Sequence, residues 1–283
     1  MAFSIQTNNS SLIALTNFEK ASAELDDVSK VISTGLNISS SEDDSSNFSI
    51  AQGIRGEVKS IGAVIRGINN AKGIAKVAIS GATAVSNLLQ DIRQKVTEGV
   101  NPANTAAQQV LMQNDYASLL QQMRQFMENS EFNGVNILIE TNVPFNTIVG
   151  DVNDVEVLSD LQGRSITLEG QRLDLSYALL LQENISTPAN ASQTLTILLQ
   201  EERRIYNALA SLGSNFRALE QQTKYLEILK DASETGLGNM VDADMARASA
   251  ELTSSQVRKE LAAQTLSIAN KNPQVFLGLF ENQ

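Results

Sequence analysis

The sequence contains no cysteine, no histidine and no tryptophan. Without Cys there is no disulfide framework and no thiol chemistry. Without His the commonest general base and metal ligand is missing. Aromatic residues make up only 5% of the chain, which suits helices packed by Leu, Ile and Ala. Basic residues are outnumbered, 21 Lys and Arg against 32 Asp and Glu, for a net charge of -11. That balance argues against nucleic acid or an anionic membrane as a partner. No stretch is apolar enough to span a bilayer. The N-terminus lacks a basic region followed by an apolar block, so no cleaved signal peptide is predicted and any export takes another route. No HExxH, GxSxG, P-loop or GxGxxG pattern occurs. The sequence therefore predicts a protein that is not an enzyme, with no catalytic residue, no metal site and no cofactor.

What the chain does have is helical periodicity. From Leu195 to Leu229 apolar residues fall at Leu195, Leu198, Ile205, Leu209, Leu212, Phe216, Leu219 and Leu226, interrupted at Glu202 and Thr223. The steps are those of a helix seeking helical partners. At about 1.5 Å per residue it is roughly 50 Å long and cannot bury its seam within itself. Glu201, Arg203, Arg204, Asn207, Arg217, Gln221 and Lys224 are predicted on its outer face.

The N-terminal half supplies mates. A helical pattern runs through Ile5, Leu12, Leu15, Phe18, Leu25, Val28 and Ile32, with Gly35 placed as a C-cap. The run SSSEDDSS reads as a loop in which Asp44 or Ser45 caps the next helix. That helix is predicted over about Ser46 to Glu98, with a seam including Ile61, Ile68, Ala75, Ala82, Leu89, Ile92 and Val96. It carries repeated glycines, each costing about 1 kcal/mol relative to Ala, so packing must rescue it. After a break at Asn101–Thr105 a third helix is predicted to about Asn129, turning Val110, Met112, Tyr116, Leu119, Met123 and Phe126 inward. Asn133-Gly134 favours a type I′ turn, although a bend after the helix fits as well. From Asn136 to about Ser176 the composition is β-like, with two or three short hairpins expected. Helix resumes by Ala189, is predicted to break at Gly236-Leu237-Gly238-Asn239, and returns from about Asp242 to Phe280, where Pro273 is expected to kink or end it. The last helix has a seam through Leu252, Leu261, Leu266 and Leu277.

The expected fold is mainly α, a long helical coiled-coil bundle built from both chain ends with a small central β-hairpin region. Its divisions are 1–45 (N-terminal core helix and loop), 46–135 (long helices of an outer tube), 136–188 (hairpins), 189–238 (long C-terminal tube helix) and 239–283 (C-terminal core helix). The two terminal seams also fit core packing in any soluble helical bundle. Asp43-Asp44 and Asp242-Ala243-Asp244 resemble metal carboxylates only superficially; with no Gly-centred calcium loop, helix capping is the better reading.

A set of short pieces narrows this. At the N-terminus they are Ser4-Ile5-Gln6-Thr7-Asn8, Ser33-Thr34-Gly35-Leu36, Asp43-Asp44, Ile50-Ala51, Asn69, Gly73-Ile74 and Phe132-Asn133-Gly134. At the C-terminus they are Leu212-Gly213, Asp242-Ala243-Asp244, Gln256, Ala269-Asn270 and Pro273-Gln274. In this order and spacing, over roughly 4–135 and 205–280, the chain resembles bacterial flagellin, of the compact alphaproteobacterial type without large outer domains.

The resemblance implies a structural subunit that polymerises into the flagellar filament, secreted to the extracellular flagellum for motility. Its terminal helices would pair as a coiled coil lining the filament core. Implied partners are copies of itself, other flagellins, the flagellar export chaperone and secretion apparatus, and the filament cap and hook-junction proteins. A hook–filament junction protein of the same family, or a soluble coiled-coil adaptor, are the rival readings. Both termini are expected to be poorly ordered in the monomer and to fold on assembly. Thr141 and Thr147 are candidate positions for O-linked sugar. Many flagellins are gripped by a toll-like receptor through an Arg followed, two residues on, by Arg-Glu-Leu. The matching positions here are Asp91, then Arg93, Gln94 and Lys95, which implies weak recognition.

Overall fold

The computed structural model describes residues 8–140 and 154–280, with side chains as far as Lys271. Its elements in order are α1 (Asn9–Thr34), α2 (Ser45–Gly99), α3 (Ala106–Glu128), β1 (Val155–Leu158), β2 (Ser165–Leu168), α4 (Leu173–Leu181), α5 (Pro188–Val241) and α6 (Met245–Phe280). The chain divides into two compact units, residues 1–56 with 232–283, and residues 57–231.

In the second unit the seam of α2 is occupied as its periodicity predicts. Ile61, Ile68, Ala75, Ala82, Val85, Ile92 and Val96 are fully buried. They join Tyr116 and Met123 of α3, Leu173 and Leu180 of α4, and Leu198, Ile205 and Leu212 of α5 in two apolar clusters. α3 opens on a capping box, with Thr105 and Gln108 bonding each other's backbone N–H groups. The predicted face of α3 is turned inward at Tyr116 and Met123, which are buried, and at Met112, Leu119 and Phe126, which pack against the same core. Only Val110 is exposed, and Gln109 is buried beside it and donates to the Gly99 carbonyl at 2.9 Å.

The glycines of α2 have a specific use. A Cβ on Gly81 would lie 1.8 Å from the Ser130 Oγ, and one on Gly73 would lie 2.9 Å from the Phe132 ring. The segment after α3 therefore presses directly on the α2 backbone. It is held there by a two-residue turn in which Asn133 (φ 52°) and Gly134 (φ 80°) are both left-handed. Phe132 and Val135 exchange backbone hydrogen bonds across it, the arrangement of a type I′ turn.

Three expectations about the second half of the chain need correction. Among the described residues the central region holds one antiparallel hairpin, β1–β2, with Val155 opposite Leu168, and then a helix, α4, where hairpins were expected. α4 is nearly all apolar and short, so its composition reads as a buried strand. α5 does not break at Gly236. Leu237 and Met240 on that turn pack against Ile38, Ala51 and Val241, which outweighs the weak helix propensity of glycine. A Cβ on Gly238 would meet the Asp242 carboxylate at 2.7 Å. α6 begins at Met245, not Asp242, and continues through Pro273.

Candidate assembly surfaces

Of the family-motif residues, Asn8, Gly35, Asp242, Asp244 and Asn270 lie in the first unit and act on one joint. Asp43 and Asp44 set a loop of the same unit, and Gly73, Asn133 and Gly134 lie in the second unit. Asn8 caps α1: its Oδ1 accepts from the Ser11 N–H at 3.1 Å, and its Nδ2 donates to the Ala269 carbonyl of α6 at 2.8 Å. Ser11 donates to Asn270. At the other end Gly35 closes α1 in the left-handed conformation, φ 71°, and accepts from the Ala243 N–H. Leu36 and Asp242 form an antiparallel bridge. Asp244 caps α6 by accepting from the Ala246 and Arg247 N–H groups. α1 and α6 are therefore an antiparallel pair tied at both ends.

The α1–α2 loop is set by two adjacent acids. Asp43 accepts from the Ser39 and Ser40 N–H groups and from Lys30 at 2.9 Å. The Lys30 hydrogen bond, helped by the backbone donors, holds its carboxyl far below the usual range; the same contact raises Lys30. Asp44 caps α2 through the Ser46 and Asn47 N–H groups, and the Asn47 hydrogen bonds lower its pKa. Loop closure occupies the Asp43 carboxylate and capping the Asp44 carboxylate.

The seam between α1 and α6 is regular. The covered positions of α1 are Ser11, Ala14, Phe18, Ala21, Leu25, Val28 and Ile32; those of α6 are Ala248, Leu252, Ser255, Lys259, Ala262, Leu266 and Ala269. Both sets alternate steps of three and four. The register set by the end contacts brings Phe18 opposite Ala262, Leu25 opposite Ser255 and Ile32 opposite Ala248, large against small. Apart from Ser22 and Val31 of α1, the remaining described side chains of both helices are exposed.

The predicted seams are therefore partly displaced. Phe18, Leu25, Val28, Ile32, Leu252 and Leu266 lie on this intramolecular seam. Leu12 (67% exposed), Leu15 (42%) and Leu261 (56%) do not. The sequence reading followed the largest side chains, whereas half of the real seam is Ala and Ser. Each terminal seam also has an internal mate in the other helix. Leu12, Ile13 and Leu15 on α1, and Val257, Leu261 and Ile268 on α6, form second apolar faces that nothing within the described chain covers. Ile5, Thr141 and Thr147, and the side chains of Leu277 and Pro273, lie outside what is described.

In the second unit the receptor-segment positions are on α2. Asp91, Arg93 and Gln94 are exposed and Lys95 half-buried. Lys95 pairs with Glu98 at 3.3 Å and Asp115 at 3.5 Å, and Gln94 donates to Glu98. These contacts, Gln94 first, lower the Glu98 pKa. Arg93 reaches Glu202 at 3.4 Å. Glu202 and its neighbour Glu201 are both buried, which corrects the outer placement of Glu201. Among the described residues Glu201 pairs locally, with Arg204 at 3.4 Å. The buried Tyr116 hydroxyl donates to the Leu180 carbonyl at 2.7 Å, and burial pushes its pKa up.

Among the described residues no group of three or more acids, His or Cys could hold a metal ion. No helix among them is long and apolar enough to cross a membrane. The geometry offers surfaces for packing.

Comparison with known proteins bears on what packs there. Residues 5–143 match the family described as bacterial flagellin N-terminal helical region, and residues 195–280 the bacterial flagellin C-terminal helical region. Flagellin FljO of Caulobacter vibrioides is 30% identical over 98% of both chains. A flagellin of Brucella melitensis is 27% identical over 98% of this chain and 99% of its own. Among solved structures, Bacillus cereus flagellin is similar over 57% of this chain and 88% of its own, with a TM-score of 0.51 and 22% identity. A putative flagellar hook-associated protein from Vibrio parahaemolyticus is similar over 71% of this chain and all of its own, with a TM-score of 0.60 and 16% identity. At such identities the two structures speak for the fold alone.

Proposed function

The chain belongs to the bacterial flagellin family and is a structural subunit of the flagellar filament, and on that premise we propose how its surfaces are used. The carrying observation is the two-sided terminal pair: α1 and α6 bury one heptad face in each other and leave a second apolar face on each helix open. In a monomer such faces are costly to expose; in a helical polymer the neighbouring copies cover them. Residues 1–45 and 239–283 accordingly form the filament core, and 46–135 and 189–238, with the short hairpin region 136–188, the surrounding tube.

The same faces explain the need for a partner before assembly. The chain reaches the extracellular filament through the flagellar secretion apparatus, and an export chaperone covers the α6 face around Val257, Leu261 and Ile268 until then. Other flagellins, the filament cap and the hook-junction proteins meet the same terminal surfaces. A role as the junction protein itself is not favoured: the matches to the family and its named relatives are to flagellins.

Electron microscopy of the purified chain under seeded conditions tests the reading. Filaments are expected from the full chain and none from a chain lacking residues 250–283. Filament formation by the truncated chain would remove the terminal pair from the assembly role.

A further inference from the structure

In a chain of net charge -11, one stretch has the opposite sign. From residue 58 to residue 90, α2 carries Lys59, Arg66, Lys72 and Lys76 and no Asp or Glu. Lys59, Arg66 and Lys76 are exposed, and Lys72 is half-buried. Lys59 and Arg66 are seven residues apart, on the side of α2 away from the buried Ile61, Ile68 and Ala75. None of the four has an ion pair among the described residues. Lys76 lies about 26 Å along the axis from Lys59 and roughly a quarter turn round the helix from it, so the three exposed cations form an oblique stripe.

The complementary surface is in the first unit. A groove of about 580 Å³ lies where the end of α1 meets the start of α6. Its rim has Asp27, Asp242, Asp244 and Glu251 against the single cation Arg247, and Val28 and Ala248 are among its apolar lining. Asp27 and Glu251 are exposed and have no ion pair among the described residues. Apolar groups below and carboxylates above suit a Lys or Arg side chain, whose stem packs while its head pairs.

We propose that the basic stripe Lys59–Arg66–Lys76 of one copy docks on the acidic groove of the next copy. The inference rests on the filament reading and adds the polar contact that directs it. Two different, mutually complementary patches on one chain make a heterologous contact, which propagates into an open helical assembly where a self-complementary patch would close a dimer. Charges of this kind set encounter rate and register more than raw affinity, and salt weakens exposed pairs, since the Debye length is about 8 Å at physiological ionic strength.

The test uses the full chain and three variants: Lys59→Glu/Arg66→Glu/Lys76→Glu, Asp27→Lys/Glu251→Lys, and all five changes together. Asp242 and Asp244 are left alone because they tie the α1–α6 joint. Helicity and melting of each monomer are measured first, then the critical concentration for seeded polymerisation at low and high salt. The parent is expected to polymerise less readily as salt rises. Each reversal alone should raise the critical concentration by about tenfold or more through like-charge contact, and the fivefold variant should return toward the parent because the pair is swapped. A stripe-reversed chain that polymerises like the parent overturns the proposal, as does a fivefold variant no better than the single reversals. A stripe that binds phosphatidylglycerol vesicles while leaving polymerisation untouched also overturns it. A parent that forms no filament at all overturns the filament reading and this pairing with it.

Discussion

Leu261→Asp separates assembly from folding. Leu261 is 56% exposed on the outer face of α6, so a neighbouring copy that covers it still gains about half of a leucine's transfer free energy, on the order of 1 kcal/mol. An aspartate in its place loses that gain and forces an unpaired carboxylate out of water, an effective penalty of several kcal/mol. Together they come to about 4 kcal/mol per contact, and at about 1.4 kcal/mol per decade the critical concentration should rise roughly a thousandfold. The monomer should hardly respond, because the side chain is already solvated there. Leu252→Asp is the control: Leu252 sits on the α1–α6 seam, so it should disturb the pair itself and lower helicity before any polymerisation. Leu25→Asp belongs with Leu252 for the same reason, since Leu25 also faces the seam. Monomer melting followed by circular dichroism, with sedimentation and electron microscopy of seeded samples, reads both effects. Leu261→Asp filaments at the parental critical concentration would refute the assignment of the outer face. So would a Leu261→Asp monomer as unfolded as Leu252→Asp.

The remaining predictions concern single residues. Gly62→Ala and Gly81→Ala should have opposite signs in urea unfolding. The added Cβ at Gly62 meets only the tip of Arg66 at 3.8 Å, so the variant should gain up to about 1 kcal/mol from helix propensity. At Gly81 the clash with Ser130 should cost about 1–3 kcal/mol, and Ser130→Gly in the same chain should recover part of it. Asp43→Asn should flatten the acid limb of the first unit's melting curve. The Asp43 carboxyl is depressed in the fold, so its contribution is whole above its ordinary value of 3.8 and fades as pH falls below that toward its folded pKa. Finally, the purified monomer should activate the toll-like receptor weakly, and Asp91→Arg/Gln94→Glu/Lys95→Leu should raise the response in a reporter-cell assay. Equal potency of parent and triple variant would discard that reading.

The long helices were legible in the sequence because their physics is local and repetitive. The apolar spacing of α2, the cap residues Gly35 and Asp44, and the Asn133-Gly134 turn each carry a signal within a few residues of where it acts. The family resemblance rested on the same short pieces, and structure gives most of them a job: Asn8, Gly35, Asp242 and Asp244 hold one α1–α6 joint. What the sequence could not decide is which of several apolar stripes on a helix faces inward. On α1, Leu12 and Leu15 look as core-like as Leu25, yet the seam passes through Ala14 and Ala21 instead, because close helix approach selects small side chains and large ones opposite them. The same limit hid the burial of Glu201, that of Gln109 in place of Val110 and the continuity of α5 through Gly236. Each depends on what a partner helix, distant in sequence, brings to that face, and only the tertiary structure supplies it.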